Sequence, residues 1–292
     1  MLDTWGAYAR LREALPELSK VVVTGPPLAA LSTAARLSES GPQVTLMAGR
    51  TSLRTALQDA VLERVISSAS STGVEVRETS PERMLGIDGV EAVLSEGRVV
   101  SCDGVVVVPE GIPRIPELGV RKGVGGGIMV DDRLESSIHG VFAAGGCAER
   151  GASSEASRFG AGVAEGRVAG ANAAGGLHTS RPVGCVELRL FGGELLAVGS
   201  SLAEAHSPGI LSKCSWADSK RTCSLTFEKK TGRVLGVQAF GEGALSMSGF
   251  IYFAVSRGAT LKELAYIGSP GSIDITPTAE AAREEIRARQ RS

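Results

Sequence analysis

A short buried strand that runs into a helix through a glycine-proline turn constrains the fold of this sequence most. Residues 21–30 read Val-Val-Val-Thr-Gly-Pro-Pro-Leu-Ala-Ala, the layout of a dinucleotide-binding βαβ unit, whose turn carries G-x-G-x-x-G. Gly25 takes the first glycine position, whereas Pro27 and Ala30 take the second and third. Proline has no N–H to offer a pyrophosphate and adds bulk where the backbone should be bare. The pattern predicts a βαβ fold with a degenerate nucleotide-binding turn.

The first half of the sequence alternates between strand and helix patterns, which predicts a parallel sheet with right-handed crossovers. A helix with an apolar stripe at 4–18 precedes this alternation. The predicted elements are strands at 21–24, 43–47 and 73–76, helices at 28–38 and 53–71, and an antiparallel meander at 82–87, 90–94 and 97–101. The apolar run 103–109 is suited to a strand at the sheet centre.

The second half begins after a glycine- and proline-rich connection at 111–127. Its strands followed by helices are typical of an α+β domain. The predicted elements are strands at 128–132 and 140–146, a small-residue helix at 155–174, strands near 185–190, 194–199, 210–216, 221–228 and 233–240, and helices near 244–257, 260–266 and 277–290.

Composition and charge exclude several functions. The 292 residues have a formal net charge of −1, which gives no electrostatic argument for binding nucleic acid or an anionic membrane. The longest apolar runs, such as 104–108, have the length of a strand, and residues 1–5 lack the layout of a secretory signal. The expected location is therefore the cytoplasm.

No catalytic or metal-binding arrangement can be recognised in the sequence. His139, His178 and His206 are far apart, and no C-x-x-C occurs. Cys214 and Cys223 could meet across a hairpin as a redox pair, although ordinary reduced cysteines are the favoured interpretation. Cys147 is either a redox thiol or an idle buried cysteine, and the second is favoured because no base or cation adjoins it. We therefore nominate no catalytic residue and no metal ligand.

Several segments, in their order and in their residues, match one known family: 21–39, 73–76, 103–109, 127–131, 140–146, 166–176 and 231–238. They resemble the FAD-dependent pyridine nucleotide-disulfide oxidoreductase family, and within it the coenzyme A-disulfide reductase and NADH oxidase group. The resemblance implies an α/β fold in three parts. These are a Rossmann-like NAD(P)-binding domain with an antiparallel meander at 1–120, a residual flavin-domain segment at 121–180, and an α+β dimerisation domain at 181–292.

The same resemblance reveals departures at the expected cofactor contacts. The family places an N-terminal flavin-binding half, often with a redox cysteine, before the nicotinamide domain, and the expectation is that this chain lacks it. The flavin-contacting Ala-Gly-Asp of the family corresponds to 144–146, where Gly146 replaces the aspartate. Ala48 stands where an acidic residue usually holds the adenine ribose. The cofactor positions implied by the resemblance are Gly25, Leu28 and Ala30 for the nicotinamide dinucleotide, and Gly145 and Gly146 for the flavin.

Two arginines follow the second strand, near the place of a ribose 2′-phosphate. The spacing of Arg50 and Arg54 resembles the arginine pattern of NADPH-using thioredoxin reductases. The planar fork of arginine meets phosphate oxygens in two places. If these residues bind phosphate, the preferred ligand is NADPH rather than NADH. The alternative, which we favour, is that both arginines are solvent-exposed side chains at the start of a helix.

The segment 140–176 completes the flavin domain in the family, where its strand pairs with strands that this chain is expected to lack. An apolar strand without partners leaves hydrogen bonds and surface exposed. Either this segment refolds onto its own neighbours, or a second chain covers it. Its small residues would allow close approach of a backbone or a flat ring, and tight helix-on-sheet packing is the favoured explanation.

The leading hypothesis is an incomplete flavin/NAD(P)H oxidoreductase component that needs a separate flavin-binding half. NADP or NAD would bind at the degenerate site, and FAD is expected only with a partner chain. Hydride would then pass from nicotinamide to flavin and on to a thiol, a disulfide or oxygen. One alternative is a non-catalytic dimeric scaffold or regulatory protein, and another is a nucleotide or coenzyme A sensor. The C-terminal domain predicts a homodimer in each case.

Overall fold

A computed structural model describes residues 5–87, 89–109, 111, 113–150, 162–180, 183–200, 211–268 and 274–291. They form two compact units. The first comprises Met1–Gly111 with Leu188–Glu194 and Phe240–Glu242, and the second comprises Ile112–Glu187, Leu195–Ala239 and Gly243–Ser292. The second unit thus takes in the predicted 121–180 segment and most of the predicted 181–292 domain. The functional division into three parts stays a prediction.

The first unit is built on a parallel four-stranded sheet with helices and a small antiparallel sheet. Its elements are α1 (Trp5–Ala14), β1 (Lys20–Thr24), α2 (Pro27–Ser38), β2 (Gln43–Met47), α3 (Arg50–Ala56), α4 (Asp59–Ser71), β3 (Glu75–Arg77), β4 (Arg83–Leu85), β5 (Ala92–Ser95), β6 (Arg98–Ser101) and β7 (Gly104–Val107). The parallel strands lie in the order β3-β2-β1-β7, and β4-β5-β6 form the meander. This confirms the predicted alternation and fold class.

Buried aliphatic side chains explain why β1 and β2 form at the predicted positions. The β1 residues Val21, Val22 and Val23 are at most 1% exposed, as expected of a parallel strand covered on both faces. Helix α2 packs on the sheet through residues such as Leu31, which is fully buried. A cluster that includes Val22 and Val93 joins the parallel sheet to the meander. The parallel sheet and the core therefore follow directly from the apolar pattern.

Two expectations for the first unit were wrong, and one helix is more exposed than its pattern suggests. The predicted helix 53–71 is two helices, because the backbone at Leu57 is extended between α3 and α4. In the described sheet β7 lies at an edge beside β1 rather than at the centre, and only Val106 of its residues is buried. The apolar stripe of α1 is not part of a core: Trp5 is 81% exposed and only Ala7 is buried.

The second unit combines a small parallel pair with a larger sheet and helices. Its elements, given with their full bounds although the ends of β10, β11 and β14 within 188–194 and 240–242 are counted in the first unit, are β8 (Ile128–Met129), β9 (Ala148–Glu149), α5 (Gly162–Ala173), β10 (Cys185–Leu190), β11 (Gly193–Gly199), β12 (Leu211–Ala217), β13 (Arg221–Glu228), β14 (Val234–Gly241), α6 (Ser248–Ser256), α7 (Leu261–Tyr266) and α8 (Thr276–Arg291). The five longer strands lie in the order β10-β11-β14-β13-β12. Strands β10 and β13 match their predicted bounds, and the first part of the predicted helix 155–174 lies outside the described residues.

The core of the second unit lies between one face of the five-stranded sheet and the helices. Leu225 and Phe227 of β13 are fully buried there together with Ile251 of α6 and Ala281 of α8. Helix α7 starts with a capping box, in which the Thr260 side chain and the Glu263 side chain each bond the other residue's backbone N–H. The predicted α+β pattern is therefore confirmed.

The predicted strand at 140–146 does not form. Phe142 makes a single bridge to Glu135, and residues 145–147 form a 3-10 turn. The amide of Ala143 donates to Leu134 O at 3.0 Å, and Ser136 N donates to Val141 O at 2.8 Å. Residues 141–143 therefore fold onto their own neighbours at 134–136, and a second chain that covers the segment stays a prediction.

A glycine-rich loop encloses a buried carboxylate in the second unit. Glu149, 7% exposed, accepts hydrogen bonds from the amides of Gly125 at 3.0 Å and Gly127 at 2.9 Å. Amides that converge on one carboxylate form an anion-binding concavity. Here the concavity binds a side chain of the protein itself, which fixes the loop to β9.

No helix in the described ranges is both long enough and apolar enough to cross a membrane.

Candidate functional site

The candidate site lies where the parallel strands of the first unit end. Parallel strands present their carboxyl ends at one edge of the sheet, and ligands of such sheets bind outside that edge. The pairing of β2 with β3 sets Met47 against Arg77. The next residues, Ala48 and Glu78, therefore stand side by side, and Ala48 N donates to Arg77 O at 3.1 Å. The turn after β1 reaches the same edge.

Gly25 in that turn is required by the backbone around it. It has a φ of +146°, which favours glycine. A Cβ added there would lie 2.8 Å from the Cβ of Val108 and closer still to the Val108 carbonyl oxygen. Gly25 is thus packed against the protein's own backbone. Its conformation explains the glycine without a ligand.

The start of α2 offers fewer amide donors than an intact fingerprint turn. Pro26 precedes the helix and Pro27 is its first residue, so neither supplies an N–H. The first intrahelical bond runs from Ala30 N to Pro26 O at 2.8 Å. Leu28 and Ala29 precede it, so their amides have no acceptor within the helix. The side chains of Leu28 and Ala30 are buried at 3% and 0% exposure and pack in the core. A phosphate could therefore meet only the backbone of this turn.

Arg54, in the last turn of α3, lies between two carboxylates. Its Nη2 and Nε lie 3.1 and 3.4 Å from the two carboxylate oxygens of Glu78, and its Nη1 lies 3.0 Å from Asp59 Oδ1. The hydrogen bonds to Glu78 are the main cause that raises the pKa of Arg54. The sequence predicted Arg54 near this edge but missed Glu78 and Asp59. The signal that could have found Glu78 is a carboxylate directly after the third strand.

The other predicted arginine, Arg50, begins α3, and its side chain lies outside the described part of the chain. The structure therefore shows one of the two arginines at the carboxyl edge.

An open cleft of about 550 Å³ adjoins this cluster. It is lined by Glu78 and Thr79 beyond β3 and by Ser95, Glu96 and Arg98 of the β5–β6 hairpin, together with two β3 side chains. Its volume lies within the range of ligand pockets, about 300–1,000 Å³. Ser95 Oγ donates to Thr79 Oγ1 at 3.0 Å and to Ser80 O at 2.8 Å, alternative bonds of one hydroxyl that tie the two walls together. The cleft offers hydroxyls, carboxylates and guanidinium groups to a polar ligand.

The predicted flavin positions lie in the second unit. Gly145 has a φ of +71°, and its amide donates to the carboxylate of Glu165 at 2.6 Å. Glu165 is buried at 7% exposure. Gly146 is exposed, and a Cβ there would meet no atom within 4 Å. Cys147 closes the turn by donating from Sγ to Ala144 O at 3.3 Å. The amide of Gly145 is thus already engaged by a protein carboxylate.

All five cysteines are free thiols. Cys214 pairs with Leu225 and Cys223 with Trp216 across β12 and β13, so the two cysteines are diagonal neighbours rather than a facing pair. Burial raises the pKa of Cys223 to about 12 and that of Cys185 to about 11, and it also raises the pKa of Cys214. These thiols stay protonated at neutral pH, which agrees with ordinary reduced cysteines. Within the described residues, no group of three or more His, Cys, Asp or Glu could hold a metal ion.

The family resemblance implies two cofactors, a nicotinamide dinucleotide and a flavin, and the residues present fit the first better than the second. For a nicotinamide dinucleotide, the carboxyl edge supplies Arg54 with its carboxylates, the adjoining cleft and the amides of Leu28 and Ala29. For a flavin, the segment 140–149 provides no carboxylate at position 146, and the Gly145 amide is taken. We therefore derive no step through a flavin from these residues.

The sheet order, the glycine turn and the polar carboxyl edge define an α/β protein of the dinucleotide-binding type. The sequence model described as pyridine nucleotide-disulphide oxidoreductase matches residues 1–174. This is more than half of the chain. The protein belongs to the pyridine nucleotide-disulphide oxidoreductase family, as its sequence predicted.

Known relatives agree with this assignment. Mercuric reductase from Shigella flexneri is 26% identical over 279 residues, which cover 88% of this chain and 48% of the relative. The NAD-dependent persulfide reductase from A. fulgidus has a similar structure, with a TM-score of 0.84 and 22% identity over 99% of this chain and 59% of that one. An engineered NADPH oxidase made from the Lactobacillus brevis NADH oxidase, bound to NADPH, gives a TM-score of 0.81 at 18% identity, covering 99% of this chain and 71% of that one.

The chain spans about half the length of the curated relatives that it matches. Members of the family typically bind NAD(P) and FAD.

Proposed function

We propose that these 292 residues contribute the nicotinamide-nucleotide-binding part of an NAD(P)H-dependent flavoprotein oxidoreductase. The observation that carries the proposal is the position of Arg54 with Glu78 at the carboxyl edge of β2 and β3, beside the cleft. The adenosine end of the nucleotide lies in that cleft, with its ribose near Ala48. Arg77 and Arg98 offer guanidinium planes on which an adenine can stack.

The charge at this edge favours a nucleotide with a 2′-phosphate. An acidic residue at the end of the second strand holds the ribose hydroxyls of NAD and repels a phosphate there. In this chain that position is Ala48, whereas Arg54 offers a planar fork that phosphate oxygens can accept from twice. We therefore propose NADPH as the preferred nucleotide, with Arg50 as a second contact.

The engineered NADPH oxidase supports this preference by the spacing of its substitutions. Its glycine-to-alanine and aspartate-to-alanine changes are eighteen positions apart, and two arginines were introduced within the seven positions that follow. Here Ala30 and Ala48 are also eighteen positions apart, and Arg50 and Arg54 stand two and six positions after Ala48, whereas the introduced arginines stand one and seven positions after the aspartate. The same combination of residue types supports the same choice of nucleotide.

The pyrophosphate contributes less to binding than in an intact fingerprint. Only the amides of Leu28 and Ala29 precede the first bond of α2, and two prolines stand before them. Affinity then depends mainly on the ribose end of the site.

In the complete enzyme a flavin held outside these residues would supply the redox chemistry, and the residues described here would bind and orient the nicotinamide nucleotide. The flavin contacts come mainly from outside the residues described, on this polypeptide or on a separate subunit. The chain also forms a homodimer through the 181–292 domain, where Phe253 and Tyr266 are 64% and 75% exposed.

Titration of the protein with NADPH and with NADH, followed by calorimetry and by nucleotide fluorescence, tests the proposal. We expect saturable binding of both nucleotides, with NADPH the tighter. A folded protein that binds neither nucleotide up to millimolar concentration would exclude the proposed function and would favour a scaffold role. Sedimentation at several concentrations tests the dimer separately.

A further inference from the structure

We propose that Glu78 sets the preference of this site between a phosphorylated and an unphosphorylated adenosine ribose. The inference rests on the proposed nucleotide site and assigns its selectivity to a residue on the third strand. Glu78 acts on a 2′-phosphate through Arg54 and on an unphosphorylated ribose directly, and it takes part in no chemical step.

The sheet register places the Glu78 carboxylate beside position 48, where an acidic residue usually holds the adenine ribose. Met47 pairs with Arg77, and Ala48 N donates to Arg77 O, so position 78 lies next to position 48 at the same edge. Neighbouring strands are about 4.8 Å apart. Ala48 has no carboxylate, and Glu78 supplies one from the neighbouring strand, one strand spacing away. At that place Glu78 can accept a hydrogen bond from a ribose hydroxyl.

Glu78 also binds the guanidinium group of Arg54, which a 2′-phosphate would use. Its two carboxylate oxygens lie 3.1 and 3.4 Å from Nη2 and Nε of Arg54, a fork-to-fork contact that a phosphate would have to replace. The Glu78 side chain is 19% exposed, whereas Asp59, the other partner of Arg54, is 51% exposed. Water screens the Asp59 contact more strongly. Glu78 is therefore the main competitor for the guanidinium group.

Two arrangements of the same residues follow. With an unphosphorylated ribose, the Arg54–Glu78 pair stays closed and Glu78 faces the hydroxyls. With a 2′-phosphate, Arg54 turns to the phosphate and leaves Glu78 close to a second anion, which weakens binding. The wild-type protein therefore discriminates only weakly in favour of the phosphate, and removing the charge of Glu78 strengthens that preference.

The test uses adenosine 2′,5′-bisphosphate and adenosine 5′-monophosphate, which differ in the phosphate on the ribose 2′ position. Affinities of both probes are measured for the wild-type protein and for Glu78→Gln, Glu78→Ala, Arg54→Ala and Glu78→Gln combined with Arg54→Ala. Glu39→Gln is the matched control, because Glu39 forms an exposed pair with Arg36 at 3.4 Å at the other end of α2. Thermal unfolding confirms that each variant is folded.

We expect Glu78→Gln to bind the bisphosphate about tenfold more tightly and the monophosphate with unchanged or slightly weaker affinity. The gain disappears when Arg54 is also alanine, and Glu39→Gln changes neither affinity. Equal changes for both probes, or a gain that persists without Arg54, would overturn the role of Glu78. If neither the wild-type protein nor any folded variant binds either probe, the proposed nucleotide site itself fails, and the inference with it.

Discussion

The two ends of the candidate nucleotide site have diverged in opposite directions. At the pyrophosphate end, Gly25 is packed against Val108 and two prolines remove amide donors. At the ribose end, Arg54, Glu78 and Asp59 form a charged cluster beside an open cleft. The backbone of the fingerprint turn is thus retained for packing, whereas the side chains at the neighbouring strand ends retain the means to recognise a ligand. Packing in the turn and the polar chemistry of the ribose end are therefore carried by different residues of one βαβ unit.

The largest expected effect concerns the packing role of the turn. Gly25→Ala forces a Cβ into the Val108 backbone at a φ of +146°, and we expect it to lower the free energy of unfolding by about 3 kcal/mol or more. Chemical denaturation measures this change. Gly41→Ala is the control, because Gly41 also has a positive φ but a Cβ there meets no atom within 4 Å. Equal losses in the two variants would contradict the packing argument.

The next effect concerns the ribose end. Arg54→Ala removes the charged fork that a 2′-phosphate would meet, so we expect NADPH to bind about tenfold to a hundredfold more weakly. NADH binding should change less than about threefold, because its ribose carries no phosphate. Calorimetry on both nucleotides measures the difference. Arg36→Ala, which removes an exposed arginine 70% accessible to solvent, is the control. A uniform loss for both nucleotides would speak against a phosphate contact.

A gain of affinity is expected at the pyrophosphate end. Pro27→Gly restores one amide at the start of α2 and should tighten NADPH binding about threefold to tenfold, at a cost of about 1 kcal/mol in stability. Adenosine 2′-monophosphate has no phosphate on its 5′ oxygen, so its affinity should not change. Parallel titrations of the two ligands make the comparison. If both affinities rise together, the restored amide does not act on the pyrophosphate.

The smallest effect concerns the wall of the cleft. Ser95→Ala removes the hydroxyl that bonds to Thr79 and Ser80, and we expect a loss of about 1 kcal/mol in stability and less than about threefold in adenosine monophosphate affinity. Thermal unfolding and calorimetry measure the two quantities. A loss of binding larger than that of Arg54→Ala would move the main contact from the ribose end into the cleft.

The sequence predicted the parallel sheet well because its strands are short, apolar and buried. Strand β2 matches its predicted bounds and β1 begins one residue early. The break at Leu57 was missed because neither glycine nor proline marks it. The edge position of β7 was missed because an apolar run reports burial and not the number of neighbouring strands.

Half of the candidate site could be read from the sequence. Arg54 was predicted because it follows a strand in a recognisable spacing. Glu78 was missed because its role depends on the register between β2 and β3, which places it beside Ala48. Residues thirty positions apart in sequence become neighbours only when that pairing is known.

The burial of Cys223 has a practical consequence for handling the protein. Its side chain is fully buried, and burial raises its pKa to about 12, so the thiol stays protonated at neutral pH. Iodoacetamide should therefore label Cys223 only after unfolding, which makes its alkylation a direct reporter of how often the second unit opens.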